Sequence, residues 1–339
     1  MGRAANWRLP MTKPGTTADP GVEPRRGPAI AAILFASIFW GTTGLAASTI
    51  SVVPAFVIGA STMGLGGLLM ALTAPKKTWS VVATRRAWPA VIVGGLSIMT
   101  YTLVFYAGMS WAGVALGNVL ALGSAPVFAG IIEWIVDRRP VSPRWLVATG
   151  IVIVGGWMLA TGRDLGTESL AHDAQLVPLG ILMALVAGFA YALYTFMANR
   201  LMTRREGIEA LNFRGTISAM QLVSAVPLLG VLIVMAPTIT SHAFVVPVLL
   251  YLAVFPTAVG HSLLAFSLGR LRASVAGVYS LMEPVVAVIL AVVFIGEVIA
   301  PTGWVGFAMV LCGIAYLSAP GSSIRPWLKL RPNDEGPTG

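Results

Sequence analysis

Charge is what this sequence has least of: Asp, Glu, Lys and Arg make up 10% of its 339 residues, where a soluble globular domain carries roughly 25%. With 57% hydrophobic residues and a mean hydropathy of +0.84, the chain lacks the polar side chains to cover a water-facing globule. Lipid must be its solvent. Cysteine is nearly absent. The single Cys312 excludes an intrachain disulfide and a CxxC metal site, and reads as a small buried hydrophobe. Three histidines are present, no two at metal-ligand spacing, so no metal or other cofactor is expected. No GxxxxGK[ST] loop occurs, which argues against direct ATP coupling within this chain. The HExxH, GxSxG and paired acidic metal motifs of enzymes are missing too. Despite a net charge of +9, no aromatic–basic interleaving or nucleic-acid motif appears, and no nucleic-acid partner is expected.

What is there is apolar runs. Candidates of membrane-spanning length cover 29–48, 53–73, 88–108, 112–135, 145–161, 176–198, 215–236, 244–267, 273–295 and 302–319, which predicts an all-α integral membrane fold of ten transmembrane helices. The polar, Pro/Gly-rich residues 1–28 lack the basic-then-apolar opening of a secretory signal. They are expected to be a disordered cytoplasmic tail, with a second cytoplasmic tail at 320–339 and an external loop at 162–175.

The basic residues set the orientation. With the N-terminus inside, 21 of the 22 Lys and Arg residues fall in the N-terminal tail, the even-numbered connections and the C-terminal tail; only Arg163 falls outside. Both termini are therefore expected in the cytoplasm of a cell whose inner membrane holds the chain in multiple passes.

The chain also resembles itself. A shift of 158 residues superposes Pro89 on Pro247, Pro126 on Pro284, Pro143 on Pro301 and Gly155 on Gly313. Proline in a span has positional meaning, so three aligned within about 55 residues mark a repeat rather than a coincidence of composition. The repeat carries spans three, four and five onto eight, nine and ten. Each unit, 29–161 and 176–319, then has five spans, and an odd number forces opposite orientations. The charges agree: the basic "DRRPVSPR" after span four aligns with "GEVIAPTG", which has no basic residue, while "MSWAG", with none, aligns with "LGRLRAS", with two. Two inverted five-helix repeats are common in secondary transporters.

At this point the residues resemble the EamA-type branch of the drug/metabolite transporter superfamily. "FWGTTGLAAS" in the first span, with Trp40 and Gly41, resembles that family's Trp-Gly opening; "LALGSAPVFAGIIEW" and "YSLMEPVVAVILAVVFIGEVIAPTGWVGFAMVLCGIAYL" resemble its fourth and ninth-to-tenth spans. The resemblance covers about residues 30–319 and implies a ten-helix carrier working by alternating access. It most often means export of amino acids, related metabolites or toxic compounds, with a cavity lined by spans one, three, four, six, eight and nine. One departure is that Arg139 stands in the first unit where the second has Glu297.

Among individual residues Glu283 is the most informative. A carboxylate at bilayer depth costs about 3 kcal/mol on the lenient insertion scale, so it should face a cavity or a partner. Either it binds protons or substrate, or it is a protonated carboxyl tying helices together. Pro126 and Pro284 each withdraw a donor and free a carbonyl one turn earlier, giving a polar spot by the cavity or a packing kink. Gly113 and Gly117 form a GxxxG for close helix approach, and Asn118 beside them either lines the cavity or joins two helices. His261, the only histidine within a span, either pairs with Glu283 or substrate, or is a satisfied structural side chain. The remaining cavity candidates are aromatic: Trp40, Tyr101, Tyr106, Tyr191, Tyr194 and Tyr279. Trp88, Trp134, Trp145 and Trp304 suit the interfacial belts, and Glu133 can snorkel or pair with Arg138. The function expected is export of a small metabolite or amino acid, with proton exchange as a candidate coupling. An importer, a drug or sugar-derivative carrier, and an integral-membrane enzyme are the alternatives. A small-molecule substrate and the lipid bilayer are the partners expected.

Overall fold

The structure, a computed structural model, describes residues 26–50, 52–112, 114–138, 140–162, 175–203, 210–240, 242, 244–296 and 298–319. The residues before 26 and after 319, residues 163–174 of the connection between the fifth and sixth spans, Gly113, Arg139 and Glu297 lie outside the described residues, as does the side chain of Tyr106.

Ten helices stand where the apolar runs place them. In order they are Arg26–Ser48, Ala55–Thr73, Trp88–Ala112, Val114–Asp137, Pro143–Thr161, Val177–Met202, Phe213–Val234, Val245–Leu268, Ala273–Phe294 and Pro301–Ser318, the first to tenth spans. Among the described residues nine are long and apolar enough to cross a membrane, and the fifth is a shorter apolar helix, Pro143–Leu159 by the same measure. A rise of about 1.5 Å per residue makes such helices roughly 27–39 Å long, matched to a bilayer's hydrocarbon core. Their ends follow local chemistry. Ser142 accepts from the Trp145 amide at 3.1 Å and Pro143 occupies the first turn, so the fifth span starts there. Asn212 likewise accepts from the Gly215 amide at 3.1 Å at the head of the seventh. Gly296, at φ 77°, ends the ninth in the left-handed conformation that glycine adopts without strain. A short helix, Pro75–Val82, links the second and third spans with Lys76, Lys77 and the exposed Trp79 on it.

Packing runs between the two halves more than within them. The third span packs on the sixth and seventh, the fourth on the sixth, the second on the seventh and the fifth on the tenth; the first packs on the eighth and ninth, the eighth on the second and the fourth on the ninth. Small residues permit the closest approaches. A Cβ on Gly155 in the fifth span would sit 2.8 Å from the Gly306 carbonyl of the tenth, and one on Gly108 in the third span 2.9 Å from the Ala184 amide of the sixth. Lipid gives no hydrophobic drive between helices, so such close backbone contact is what holds them.

Two expectations need correction. Cys312 is exposed, because the tenth span packs through its glycine face and turns Cys312 away from it. Trp145 is buried rather than belted at the interface, its indole donating to the Ser274 carbonyl at 3.2 Å, whereas Trp88, Trp134 and Trp304 are exposed.

Candidate functional site

Prolines break two of the spans, and the breaks build the site. In the eighth, Pro256 lacks the N–H that an α-helix would aim at Leu252, and residues Ala253–Val259 widen into a π-helical turn. The freed Leu252 carbonyl accepts the Thr257 hydroxyl at 3.1 Å. In the ninth, Pro284 stands four residues after Ser280, where the helix is interrupted at Leu281. The freed Ser280 carbonyl accepts the Ser37 hydroxyl of the first span at 3.4 Å. Both bends therefore convert a lost backbone bond into a polar contact at membrane depth.

Between these bends lies a cavity of about 90 Å³. The first span contributes Trp40 and Thr43, the second Gly59, Thr62 and Met63, and the third Tyr101, Thr102 and Phe105. The sixth contributes Tyr191, the eighth Leu252, Pro256, Thr257 and His261, and the ninth Glu283. The second span thus stands where the family resemblance implies the fourth.

Each polar wall group has a definite setting. The Trp40 indole donates to the Pro256 carbonyl at 2.9 Å and meets the His261 ring edge-on at 5.6 Å. Its seat exists because residue 260 is glycine: a Cβ there would lie 2.8 Å from the indole nitrogen. The buried His261 donates from Nδ1 to the Thr257 carbonyl at 3.0 Å. Tyr101 meets Tyr191 edge-on at 5.6 Å and stacks on Phe105 at 5.3 Å. Glu283 is the one acidic residue of the wall. The backbone of the first span closes against it, since a Cβ on Gly41 would lie 3.0 Å from the Glu283 carbonyl.

Of the residues singled out in the sequence, Trp40, Tyr101, Tyr191, His261 and Glu283 meet in this cavity. Tyr194 is fully buried behind the wall, its ring 5.1 Å from that of Tyr191. Pro284 acts through the bend, and Pro126 packs where Gly277 leaves room, 3.3 Å from the position of a Cβ there. Tyr279 is buried elsewhere, its hydroxyl accepting from Ser318 at 3.0 Å. Asn118 is partly buried, its Oδ1 unpartnered among the described residues. Sequence reading passed over Pro256 and the threonines at 62, 102 and 257. Pro256 carried a signal, a proline inside an apolar span; the threonines carried none. Among the described residues no group of His, Cys, Asp or Glu is arranged to hold a metal ion.

Beyond the cavity, toward the ends with the connections 138–142 and 269–272, the helices are clasped. Glu133 of the fourth span, buried, accepts from the Arg272 Nε at 2.7 Å, the Ser274 amide at 3.0 Å and the Ser274 hydroxyl at 2.7 Å, and so caps the ninth span. Its partner is Arg272, not the adjacent Arg138. Asn199 of the sixth span donates to the Leu268 and Leu271 carbonyls at 2.7 and 2.8 Å, closing the end of the eighth.

The EamA-like transporter family model matches residues 27–161 and again 178–319. An uncharacterized transporter, YwfM of Bacillus subtilis, is 30% identical over 85% of this chain and 92% of its own length. The threonine/homoserine exporter RhtA of Escherichia coli is 27% identical over 77% of this chain and 81% of its own. A solved crystal structure of 18% identity aligns with TM-score 0.71 over 86% of this chain and 97% of that one, which shows the same fold. With its two halves matched in turn, the chain belongs to the EamA-like transporter family.

Proposed function

We propose that this transporter is a secondary carrier that exports a small organic metabolite or amino acid by alternating access, in exchange for protons. The observation that carries the reading is Glu283: the only Asp or Glu between Glu209 and Glu297, set in the wall of a cavity at membrane depth. A carboxyl there binds either a proton or a cargo group, and competition for one site is the simplest exchange device. The other titratable groups of the wall are His261, Tyr101 and Tyr191, and no Lys or Arg joins them. Export, rather than import, follows the relative named for threonine and homoserine.

Alternating access needs two halves that can rock about one site. The packing supports a two-fold relation between them. Advancing every span number by five turns third-on-sixth into eighth-on-first, fourth-on-sixth into ninth-on-first and third-on-seventh into eighth-on-second, and leaves second-on-seventh, fourth-on-ninth and fifth-on-tenth as they are. Five spans per unit, 29–161 and 176–319, make this an inverted relation. With the basic connections inside, both termini are cytoplasmic, the Glu133 and Asn199 clasps close the cytoplasmic side, and the cavity faces outward.

The test is flux by purified protein in liposomes, with and without a pH gradient. An imposed gradient should drive uphill accumulation, and Glu283→Gln should abolish the response to it. Normal, equally pH-responsive flux by Glu283→Gln would end the coupling scheme.

A further inference from the structure

Resting on the proposed transport function, we infer that this cavity recognises its cargo through a protonated amine, and that a free carboxylate on the cargo weakens binding rather than strengthening it. The observations are the lack of any Lys or Arg in the wall around Glu283 and the direction in which most of its polar hydrogens point.

Cations come first. No Lys or Arg occurs anywhere in 27–75, 87–137, 164–199, 215–269 or 273–324, the stretches that supply every wall residue. A ligand carboxylate at this depth would find no guanidinium or ammonium to meet it, and an unpaired buried charge is costly.

The wall's hydrogens come next. Trp40 Nε1 donates to the Pro256 carbonyl and His261 Nδ1 to the Thr257 carbonyl. The hydroxyls of Thr62, Thr102 and Thr257 donate to Gly59, Ile98 and Leu252 carbonyls at 3.1, 2.9 and 3.1 Å. Five of the eight donor-bearing side chains of the wall thus have their protons directed at backbone, the hydroxyls of Thr43, Tyr101 and Tyr191 being the other three. The threonine oxygens and the Glu283 carboxyl are the acceptors of the wall, the Glu283 oxygens the strongest. The rings of Trp40, Tyr101, Phe105 and Tyr191 add π faces, which attract a cation.

An ammonium group is the complement of such a wall: three donors, no acceptor and one positive charge. A carboxylate is its opposite, two acceptor oxygens with a negative charge, set beside Glu283 with no Lys or Arg of the wall to pair with. The amine therefore sits against Glu283 with its carbon chain on the rings, and a zwitterion binds in spite of its carboxylate. In the exchange scheme the same carboxyl group then holds either the proton or the amine.

The experiment uses the purified full chain in detergent and calorimetric titration with three solutes of one side chain. They are threoninamide (a cation), threonine (a zwitterion) and N-acetylthreoninamide (neutral). Threoninamide should bind about tenfold tighter than threonine or more, with N-acetylthreoninamide weaker than threoninamide by as much. Glu283→Gln should lose that preference and Glu283→Asp should keep it. Threonine binding as tightly as threoninamide, N-acetylthreoninamide matching it, no binding by any of the three, or an unchanged threoninamide affinity in Glu283→Gln would each overturn the inference. Flux in liposomes separates this from the transport reading. The expected binding pattern without flux would overturn transport and uphold amine recognition; threonine flux untouched by excess threoninamide would do the reverse.

Discussion

The indole nitrogen of Trp40 donates to the carbonyl of Pro256 across 2.9 Å, so the first span is fastened to the one turn of the eighth that departs from α-helical winding. Phenylalanine at 40 keeps much of the ring but leaves the Pro256 carbonyl without its donor. Trp40→Phe is expected to lower stability by about 1 kcal/mol and solute affinity by up to about fivefold. Thermal unfolding in detergent and solute titration would check both. Unchanged values for both would mean that the bond contributes nothing to the wall.

The span count and helix limits were legible because lipid imposes one length on every crossing, and prolines, asparagine and serine mark the ends. Glu283 and His261 stood out for a similar reason: each is the only residue of its kind in an apolar stretch. The threonines of the wall could not be picked out. A threonine in a span satisfies itself on its own helix, as Thr102 does on Ile98, so its sequence context is the same on a wall as on a packed face. Tyr191 and Tyr279 show the same limit. Both are tyrosines deep in spans, yet one lines the cavity and the other reaches Ser318. Which way a side chain turns depends on helix rotation, and that is set by contacts between halves more than a hundred residues apart. The pairing of Glu133 with Arg272 rather than Arg138 is such a contact.

That pair gives a second prediction. The Glu133 side chain is 3% exposed and serves Arg272 and two groups of Ser274, while the Arg272 side chain is 28% exposed. Solvent screens the arginine in part, so Glu133→Gln should cost about 2 kcal/mol rather than the full value for a buried pair. Adding Arg272→Met should recover part of the loss, because no uncompensated charge then remains. A double-mutant cycle on thermal stability measures this directly. Strict additivity of the two single changes would show that the side chains do not act as a pair.

Orientation makes a third. Only one basic residue, Arg163, lies in the 162–175 connection, beside Asp164, Glu168 and Asp173, while the neighbouring even-numbered connections are basic. A reporter active only outside the cytoplasm, fused after residue 170, should be active, and one fused after residue 208 inactive. The opposite pattern would turn the proposed topology over and place the clasps of Glu133 and Asn199 on the outer side.

Two glycines of the first span separate close packing from helix propensity. A Cβ on Gly41 would lie 2.6 Å from Val286 Cβ and 3.0 Å from the Glu283 carbonyl, whereas one on Gly44 meets nothing within 4 Å. Alanine is the better helix former by roughly 1 kcal/mol, so propensity alone favours both substitutions equally. Packing does not: the ninth span has to give way at Gly41, and overpacking typically costs about 1–3 kcal/mol. Gly41→Ala should therefore destabilise the protein and disturb the cavity at Glu283, while Gly44→Ala should leave stability unchanged or slightly raised. Because the two positions share a helix and lie one turn apart, any general effect of alanine on membrane insertion is common to both. The difference in their thermal midpoints and solute affinities isolates the contact between the first and ninth spans. Equal behaviour of the two variants would mean that the helices do not meet at Gly41, and with that the wall around Glu283 would lose its first-span side.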